Sequence, residues 1–137
     1  MKTIKLVKHI DLNEVFGLLE HPEAGGMDIF VGTVRNHAHG KEVMQLDFEG
    51  YEPMALKEMD KLATKALEKW PIMKLVMIHA LGPKKIGEPV VVIGTATAHR
   101  RDAFESCRFL IDELKTSVPI WKKEYFGDKT VWVNAHP

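Results

Sequence analysis

The chain has 137 residues, of which 45% are hydrophobic and 28% charged, and its 19 Lys and Arg balance 19 Asp and Glu. This composition is typical of a folded globular protein and excludes a disordered polyelectrolyte. The length suits one domain, so we expect residues 1–137 to form a single unit. A neutral chain has no global field that would draw it to nucleic acid or to an anionic membrane, so a bound anion must be held by a local cluster of cations.

The only cysteine is Cys107, which excludes an internal disulfide and a cysteine-based zinc site and is consistent with a reducing compartment. Cys107 lies on the apolar face of a predicted helix and is best interpreted as a small buried hydrophobe. Residues 1–16 carry charges every few positions and lack the apolar core of a signal peptide or the length of a membrane span. We therefore expect a cytoplasmic protein.

The first third of the chain reads as a strand, a helix and two further strands. Residues 3–9 alternate apolar and charged side chains, and Asp11 or Asn13 can cap a short helix that runs to residue 19. Residues 27–34 are apolar and partly β-branched, which predicts a strand buried on both faces, with Arg35 at its end. A polar loop precedes the next strand at Val43, so we expect these two strands to form a hairpin.

The remainder of the chain contains two long amphipathic helices and four strands. Residues 54–70 place apolar side chains at spacings of three and four after Pro53, which suits a first helical turn. Residues 75–81 and 89–98 predict strands joined by a turn, and residues 103–118 predict a second long helix that ends before Pro119. Residues 120–126 and 130–133 predict a final pair of short strands. The pattern as a whole predicts an α+β fold with antiparallel strands.

No phosphate-binding loop, dinucleotide fingerprint, zinc-protease motif or nucleophile elbow is present, and the chemistry-bearing residues are cations at the ends of elements. His99, Arg100 and Arg101 stand where the strongest strand gives way to a helix N-terminus, an end that already favours anions. The residues alone leave two interpretations open. One is a phosphate or carboxylate site, and the other is a solvated turn with salt bridges to Asp102 and Glu105.

Two lysines and two histidines complete the candidates. Lys115 lies one position off the apolar stripe of its helix, and Lys122 follows beyond Pro119, so the two amines could converge. A lysine partly removed from water among other cations becomes a usable nucleophile, acid or base, whereas an ordinary surface lysine does not. His37 and His39 could share one face of an extended segment, but no third ligand is evident, and we expect no metal site.

Several spaced segments resemble the molybdopterin synthase catalytic subunit (MoaE) family. They are FVGTVRNHAHGKEV, FEGYEPMA, TATAHRRDAFESCRFLIDELKTSVPIWKKE and the late Trp132, and they occur in the family's order from about Gly26 onward. The hallmarks are a V-R-N strand end, a Y-x-x-M-A helix start, an H-R-x-x-A-F turn and a P-[IF]-W-K-[KR]-E segment. One departure is Ala80, which stands where many members have arginine.

The resemblance implies an α/β-hammerhead fold and a central homodimer with one small ubiquitin-like subunit docked at each end, a heterotetramer. The Gly-Gly tail of the small subunit, as a C-terminal thiocarboxylate, would enter a pocket of the large subunit and donate sulfur. Two transfers would convert cyclic pyranopterin monophosphate into the dithiolene of molybdopterin. No metal or organic cofactor is implied, because molybdenum enters the product later.

The resemblance also implies the residues that carry the reaction. Lys115 would be the principal catalytic residue, and Lys122 would assist it. The implied substrate-binding residues are Thr33, Val34, Arg35, His99, Arg100, Lys115, Lys122, Lys123 and Glu124. Two other functions remain open from the residues alone: a transferase or phosphohydrolase for another small phosphorylated metabolite, and a non-catalytic adaptor that grips a ubiquitin-like tail.

Overall fold

The computed structural model of the chain describes residues 1–38, 40–126 and 130–134. The helices are α1 (Leu12–Leu19), α2 (Glu52–Lys69) and α3 (Arg100–Ser117). The strands are β1 (Lys2–Val7), β2 (Gly26–Thr33), β3 (His37–Ala38), β4 (Lys41–Glu42), β5 (Gln45–Gly50), β6 (Ile72–Ala80), β7 (Gly82–Lys84), β8 (Pro89–Thr97), β9 (Ile120–Tyr125) and β10 (Thr130–Asn134). The predicted α+β fold with two long helices is confirmed.

The first sheet has the strand order β1-β6-β8-β2. Its central strand β8 is buried from Val90 to Thr97, which explains the unbroken apolar sequence of that segment. Alternate residues of β6 and β8 pack on opposite faces: Val76 and Val92 contact α1, whereas Met77 and Ile93 join the core formed with α2 and α3. The sheet is therefore covered on both faces.

The second sheet has the order β10-β9-β5-β7, and every neighbouring pair in it is antiparallel. Leu46, Phe48 and Ile120 point inward from this sheet and belong to the same buried cluster as Val91 of the first sheet. The core between the two sheets is thus continuous. Along β9 the side chains alternate, so Ile120 and Glu124 are buried while Trp121 is exposed.

The caps agree with the sequence patterns. Asp11 Oδ1 accepts a hydrogen bond from the Asn13 amide at 3.0 Å and begins α1, and Pro53 occupies the first turn of α2. α3 begins at Arg100, and His99 occupies its N-cap position without a side-chain hydrogen bond to the helix. No helix in the described part of the chain has the length and apolar character needed to span a bilayer.

The predicted hairpin between residues 27–34 and the strand after Val43 is wrong. β2 pairs with β8 in the first sheet, and β5 pairs with β9 and β7 in the second, with only the short β3–β4 hairpin between them. The expectation that residues 27–34 are buried on both faces is also wrong, because β2 is, among the described strands, an edge strand on which Met27 and Phe30 are exposed. β5 instead alternates between buried and partly exposed residues, as a strand covered on one face does. The sequence also did not predict the parallel pairing of β1 with β6. It did not predict β7, which pairs with β5 and lies inside the segment interpreted as a turn.

Candidate functional site

A cavity of about 400 Å³ lies between the two sheets and the C-terminal half of α3. It is lined by Phe30, Val31, Gly32, Thr33, Arg35, Leu46, Phe48, Val90, Val91, Ile111, Lys115 and Lys122. A larger depression of about 650 Å³ at residues 20–27 is lined by one histidine and by no lysine or arginine. The smaller cavity is therefore the one with the chemistry that the sequence predicted.

Three cations reach this cavity from three separate elements: Arg35 follows β2, Lys115 lies in the last turn of α3, and Lys122 lies on β9. Arg35 and Lys115 are exposed at the rim, whereas the Lys122 side chain is only 15% exposed. The remaining wall is mainly apolar. Low-dielectric walls strengthen the attraction between fixed cations and a bound anion, so the cavity suits a small ligand with an apolar body and a negative group.

Local backbone structure aims these cations. The β2–β8 register shifts between Gly32 and Thr33, and the chain leaves the ladder there. The Val34 amide then donates to the Glu88 carbonyl at 3.1 Å, and the Val34 carbonyl accepts from the Gly87 amide at 2.7 Å. Val34 itself is 2% exposed, so its contribution to the site is this anchoring of the backbone between Thr33 and Arg35.

Lys122 is held from behind by Glu124. Its Nζ lies 3.5 Å from Glu124 Oε2, and the Glu124 side chain is fully buried and does not line the cavity. A carboxylate on the cavity surface would repel the expected anions, whereas a buried one behind the lysine fixes the ammonium in place. Glu124 therefore pairs with Lys122 from behind and does not line the cavity.

Lys123, which the resemblance placed in the substrate site, does not line the cavity. Alternation along β9 turns it to the opposite face from Lys122, and its Nζ lies 5.6 Å from the centre of the Tyr125 ring.

His99 and Arg100 are separated from the other candidates within one chain. They begin α3, whereas Lys115 lies in its last turn, and at 1.5 Å per residue the helix places Arg100 and Lys115 about 22 Å apart. Both His99 and Arg100 are exposed. Within a single chain Lys115 is therefore exposed and remote from Arg100, which lies at the other end of the helix.

The other two candidates are resolved differently. Cys107 is buried, its thiol lies 3.6 Å from the Ile93 carbonyl, and burial raises its pKa to about 12, so the interpretation as a buried hydrophobe is confirmed. His37 is exposed with Nδ1 2.8 Å from Asn36 Oδ1, and His39 lies outside the described residues. Within the described ranges, no three His, Cys, Asp or Glu side chains are placed to hold a metal ion.

The sequence did not single out the apolar wall or a buried lysine. Phe30, Phe48 and Ile111 come from three elements and read as ordinary core residues, because only the tertiary fold leaves a space between them. Lys84, on β7, is 1% exposed, and its Nζ donates to the Lys8 carbonyl at 2.5 Å. Val7 pairs with Ala80 at the end of β6, and Lys8 follows Val7. The ammonium of Lys84 therefore lies near the end of β6 at which Ala80 stands in place of the arginine of many family members.

Comparison with known proteins identifies the family and agrees with the fold. Residues 7–117 match the family described as MoaE protein. A molybdopterin synthase catalytic subunit of Drosophila willistoni is 46% identical over 93% of this chain and 35% of its own length, and one of Pyrococcus abyssi is 34% identical over 96% and 89%. The chain thus spans about a third of the Drosophila relative.

Solved structures give the same result. The crystal structure of molybdopterin synthase from Staphylococcus aureus superposes with a TM-score of 0.89 at 31% identity, covering 95% of this chain and 94% of that one. A protein–protein complex of subunits 1 and 2 of molybdopterin-converting factor from Helicobacter pylori matches with a TM-score of 0.78 at 24% identity, over 98% and 93% of the chains, and supports the fold alone. The family match and the Pyrococcus relative show that the chain belongs to the MoaE protein family.

Proposed function

We propose that this chain is the catalytic large subunit of a molybdopterin synthase. It would transfer sulfur from the C-terminal thiocarboxylate of a small ubiquitin-like subunit to cyclic pyranopterin monophosphate and so form the dithiolene of molybdopterin. The observation that carries the proposal is the convergence of Arg35, Lys115 and Lys122 on one cavity with an apolar wall. The thiocarboxylate and the cyclic phosphate are both anions, and the pterin ring supplies the apolar body.

The three cations suit different tasks. Arg35 presents a planar guanidinium that can hold a phosphate or thiocarboxylate with two parallel hydrogen bonds. Lys122, fixed by Glu124, provides a stationary positive charge that stabilises negative charge as it develops. Lys115 stands exposed at the rim, where an incoming tail meets it first. We assign nucleophilic or proton-transfer chemistry to its amine in the assembled enzyme, where the docked tail removes it from water.

Each transfer must balance at the tail. The thiocarboxylate sulfur bonds to a carbon of the pterin side chain as a carbon–oxygen bond of that carbon breaks, and the displaced oxygen leaves as water or stays on the phosphate. Water then cleaves the bond between the sulfur and the tail carbonyl, so that the sulfur stays on the pterin and the tail leaves as an ordinary carboxylate. Repetition with a second tail gives the dithiolene, and opening of the cyclic phosphate needs a proton for the released oxygen, which Lys115 or Lys122 can deliver.

A second copy of the chain explains the distant pair His99 and Arg100. β2 is an edge strand among the described strands, and a groove of about 300 Å³ beside it is lined by Leu12, Val15, Phe16, Ile29 and Val31. Phe16 is 58% exposed. An exposed strand edge beside an apolar groove is a surface that proteins usually cover, so we place the homodimer interface here.

Two-fold pairing of β2 edges would complete the site. In an antiparallel pair with its two-fold axis at the middle of β2, between Ile29 and Phe30, Gly26 of one copy would lie opposite Thr33 of the other. A Cβ on Gly26 would lie 3.9 Å from the Arg100 Cα, so the start of α3 accompanies Gly26. His99 and Arg100 of one copy would therefore approach Arg35 of the other, and one small subunit per cavity would give the heterotetramer.

Two experiments test the assembly. Light scattering at micromolar concentration and physiological salt should give a dimer, and a strict monomer would contradict it. Arg100→Ala should mainly weaken substrate binding, so the assay uses a substrate concentration at which this variant and Lys115→Ala are each nearly inactive alone. Co-expression of the two chains should then restore about a quarter of wild-type sites, because mixed dimers contain one intact cavity. Activity no higher than the mean of the two variants would show that Arg100 does not act across the interface.

The activity test uses the purified chain, cyclic pyranopterin monophosphate and the small subunit in thiocarboxylate form. Dithiolene product supports the synthase, whereas tail binding without turnover supports an adaptor. Phosphate release from other metabolites without sulfur transfer supports a phosphohydrolase. The matched controls are a small subunit that ends in a plain carboxylate and the Lys65→Ala chain, which removes an exposed lysine of α2 remote from the cavity. A cytoplasmic location stays a prediction from the sequence.

A further inference from the structure

Lys84 and Glu88 form a charged pair outside the cavity that the proposed reaction does not use. Lys84 Nζ donates to the carbonyls of Lys8 at 2.5 Å and Pro83 at 3.2 Å and lies 3.6 Å from Glu88 Oε2. The Lys84 side chain is 1% exposed and that of Glu88 is 21% exposed. A lysine this deeply buried is costly to desolvate and is retained in proteins when its hydrogen bonds are satisfied.

Glu88 connects this lysine to several other groups. Its Oε2 lies 2.8 Å from His9 Nδ1, and its Oε1 accepts from the Lys85 amide at 3.1 Å. Burial alone would raise the pKa of Glu88, but the hydrogen bonds from Lys85 and His9 and the charge of Lys84 outweigh burial and lower it. The carboxylate is thus held ionised at the centre of the β7–β8 turn.

The same turn holds the backbone that carries Arg35. The Glu88 carbonyl accepts from the Val34 amide at 3.1 Å, and the Gly87 amide donates to the Val34 carbonyl at 2.7 Å. These two hydrogen bonds lie just beyond the register shift at which β2 leaves its ladder with β8. These hydrogen bonds therefore hold the backbone of Val34 where the β2–β8 ladder no longer does.

We propose that Lys84 and Glu88 are positioning residues that fix the β7–β8 turn and, through Val34, aim Arg35 into the cavity. Gly87 adopts φ +84°, which its lack of a Cβ permits, and it has no side chain that could hold the turn by packing. The ion pair supplies a restraint on the shape of the turn in its place. This inference rests on the proposed role of Arg35 as an anion-binding residue. It extends the site to charged groups that never touch the substrate.

The test is a double-mutant cycle on the affinity for cyclic pyranopterin monophosphate, measured by calorimetry on the purified chain without the small subunit. We expect Arg35→Ala to weaken binding about tenfold to a hundredfold and Glu88→Gln about threefold to tenfold. Glu88→Gln should have no further effect in the Arg35→Ala background, because it acts through Arg35. Glu58→Gln, which alters a similarly exposed carboxylate paired with Lys61 on α2, should leave affinity unchanged.

A second readout does not depend on ligand. In Glu88→Gln the Val34 amide should exchange with solvent faster than in the wild type, while the Val92 amide in the central strand β8 keeps its protection. If Glu88→Gln does not fold, His9→Ala removes only the outer hydrogen bond of the carboxylate, from a side chain that is 74% exposed, and should produce a smaller effect in the same direction.

Each other result overturns a specific statement. Unchanged affinity in Arg35→Ala overturns the anion site itself and, with it, the proposed function on which the inference rests. Weakened binding in Arg35→Ala with full affinity and unchanged Val34 exchange in Glu88→Gln overturns only the positioning role. Additive losses in the double variant show that Glu88 acts by a route other than Arg35.

Discussion

Lys115 gives the sharpest prediction, because its structural and chemical roles can be separated. The side chain is exposed, and among the described residues it makes no hydrogen bond or ion pair. Lys115→Ala should therefore change the free energy of unfolding by no more than about 0.5 kcal/mol. Loss of a positioned nucleophile or proton-transfer group, by contrast, costs about a hundredfold to ten-thousandfold in rate. The variant should fold, dimerise and bind the small subunit normally while forming almost no product.

Lys122→Ala provides the contrasting case. Its removal leaves the fully buried Glu124 carboxylate without the ammonium at 3.5 Å, and an incompletely compensated buried polar group costs about 1–3 kcal/mol. We therefore expect a lower unfolding midpoint together with reduced turnover. Thermal melts and single-turnover product formation on Lys115→Ala, Lys122→Ala and the control Lys65→Ala measure both quantities in parallel.

Lys115→Arg decides the nature of the role. A guanidinium keeps the positive charge but stays protonated, so it cannot act as a nucleophile or base. The assay is turnover with saturating thiocarboxylated small subunit, and the arginine variant should fail like the alanine variant. Near-normal turnover of Lys115→Arg would reduce the residue to an electrostatic anchor. Near-normal turnover of Lys115→Ala would remove it from the mechanism.

Three further predictions follow from buried groups. Cys107→Ala should retain full turnover per folded molecule, because burial raises the thiol pKa to about 12 and no thiolate is present at neutral pH; a loss of product with an unchanged melt would implicate the sulfur. Burial lowers the His79 pKa to about 4, outweighing the hydrogen bond to the Ala80 carbonyl, so the unfolded chain binds more protons between pH 6.5 and 4. Urea titrations should show that the wild type loses on the order of 3 kcal/mol over this window relative to His79→Gln, and equal losses would contradict it. Gly32→Ala should destabilise the fold by about 1–3 kcal/mol and weaken substrate binding, because the new Cβ would lie 2.6 Å from Val91 Cγ1 in the cavity wall; wild-type melts and affinity would count against this close packing.

The sequence by itself determined the local elements and most of the chemistry. Apolar spacing identified α2 and α3, the continuous run of residues 89–98 identified the central strand, and Pro119 identified the end of α3, because these signals depend only on neighbours along the chain. The residues alone left open whether His99, Arg100 and Arg101 bind an anion, and the family resemblance added Arg35, Lys115 and Lys122 to the predicted site.

Only the tertiary structure decided which elements pair and which charges meet. The sequence predicted that β2 and β5 form a hairpin, but the two strands belong to different sheets. The cavity is the space between these two sheets. His99 and Arg100 lie far from the cavity of their own chain, because they are at the opposite end of α3 from Lys115. Along β9, side-chain alternation places Lys123 on the face opposite Lys122, and Glu124 is buried. Several strand pairings are compatible with the local sequence, and the pairing that buries the most apolar surface is the one that forms. The buried apolar area depends on how the sheets and helices pack together, so it cannot be calculated from any one segment.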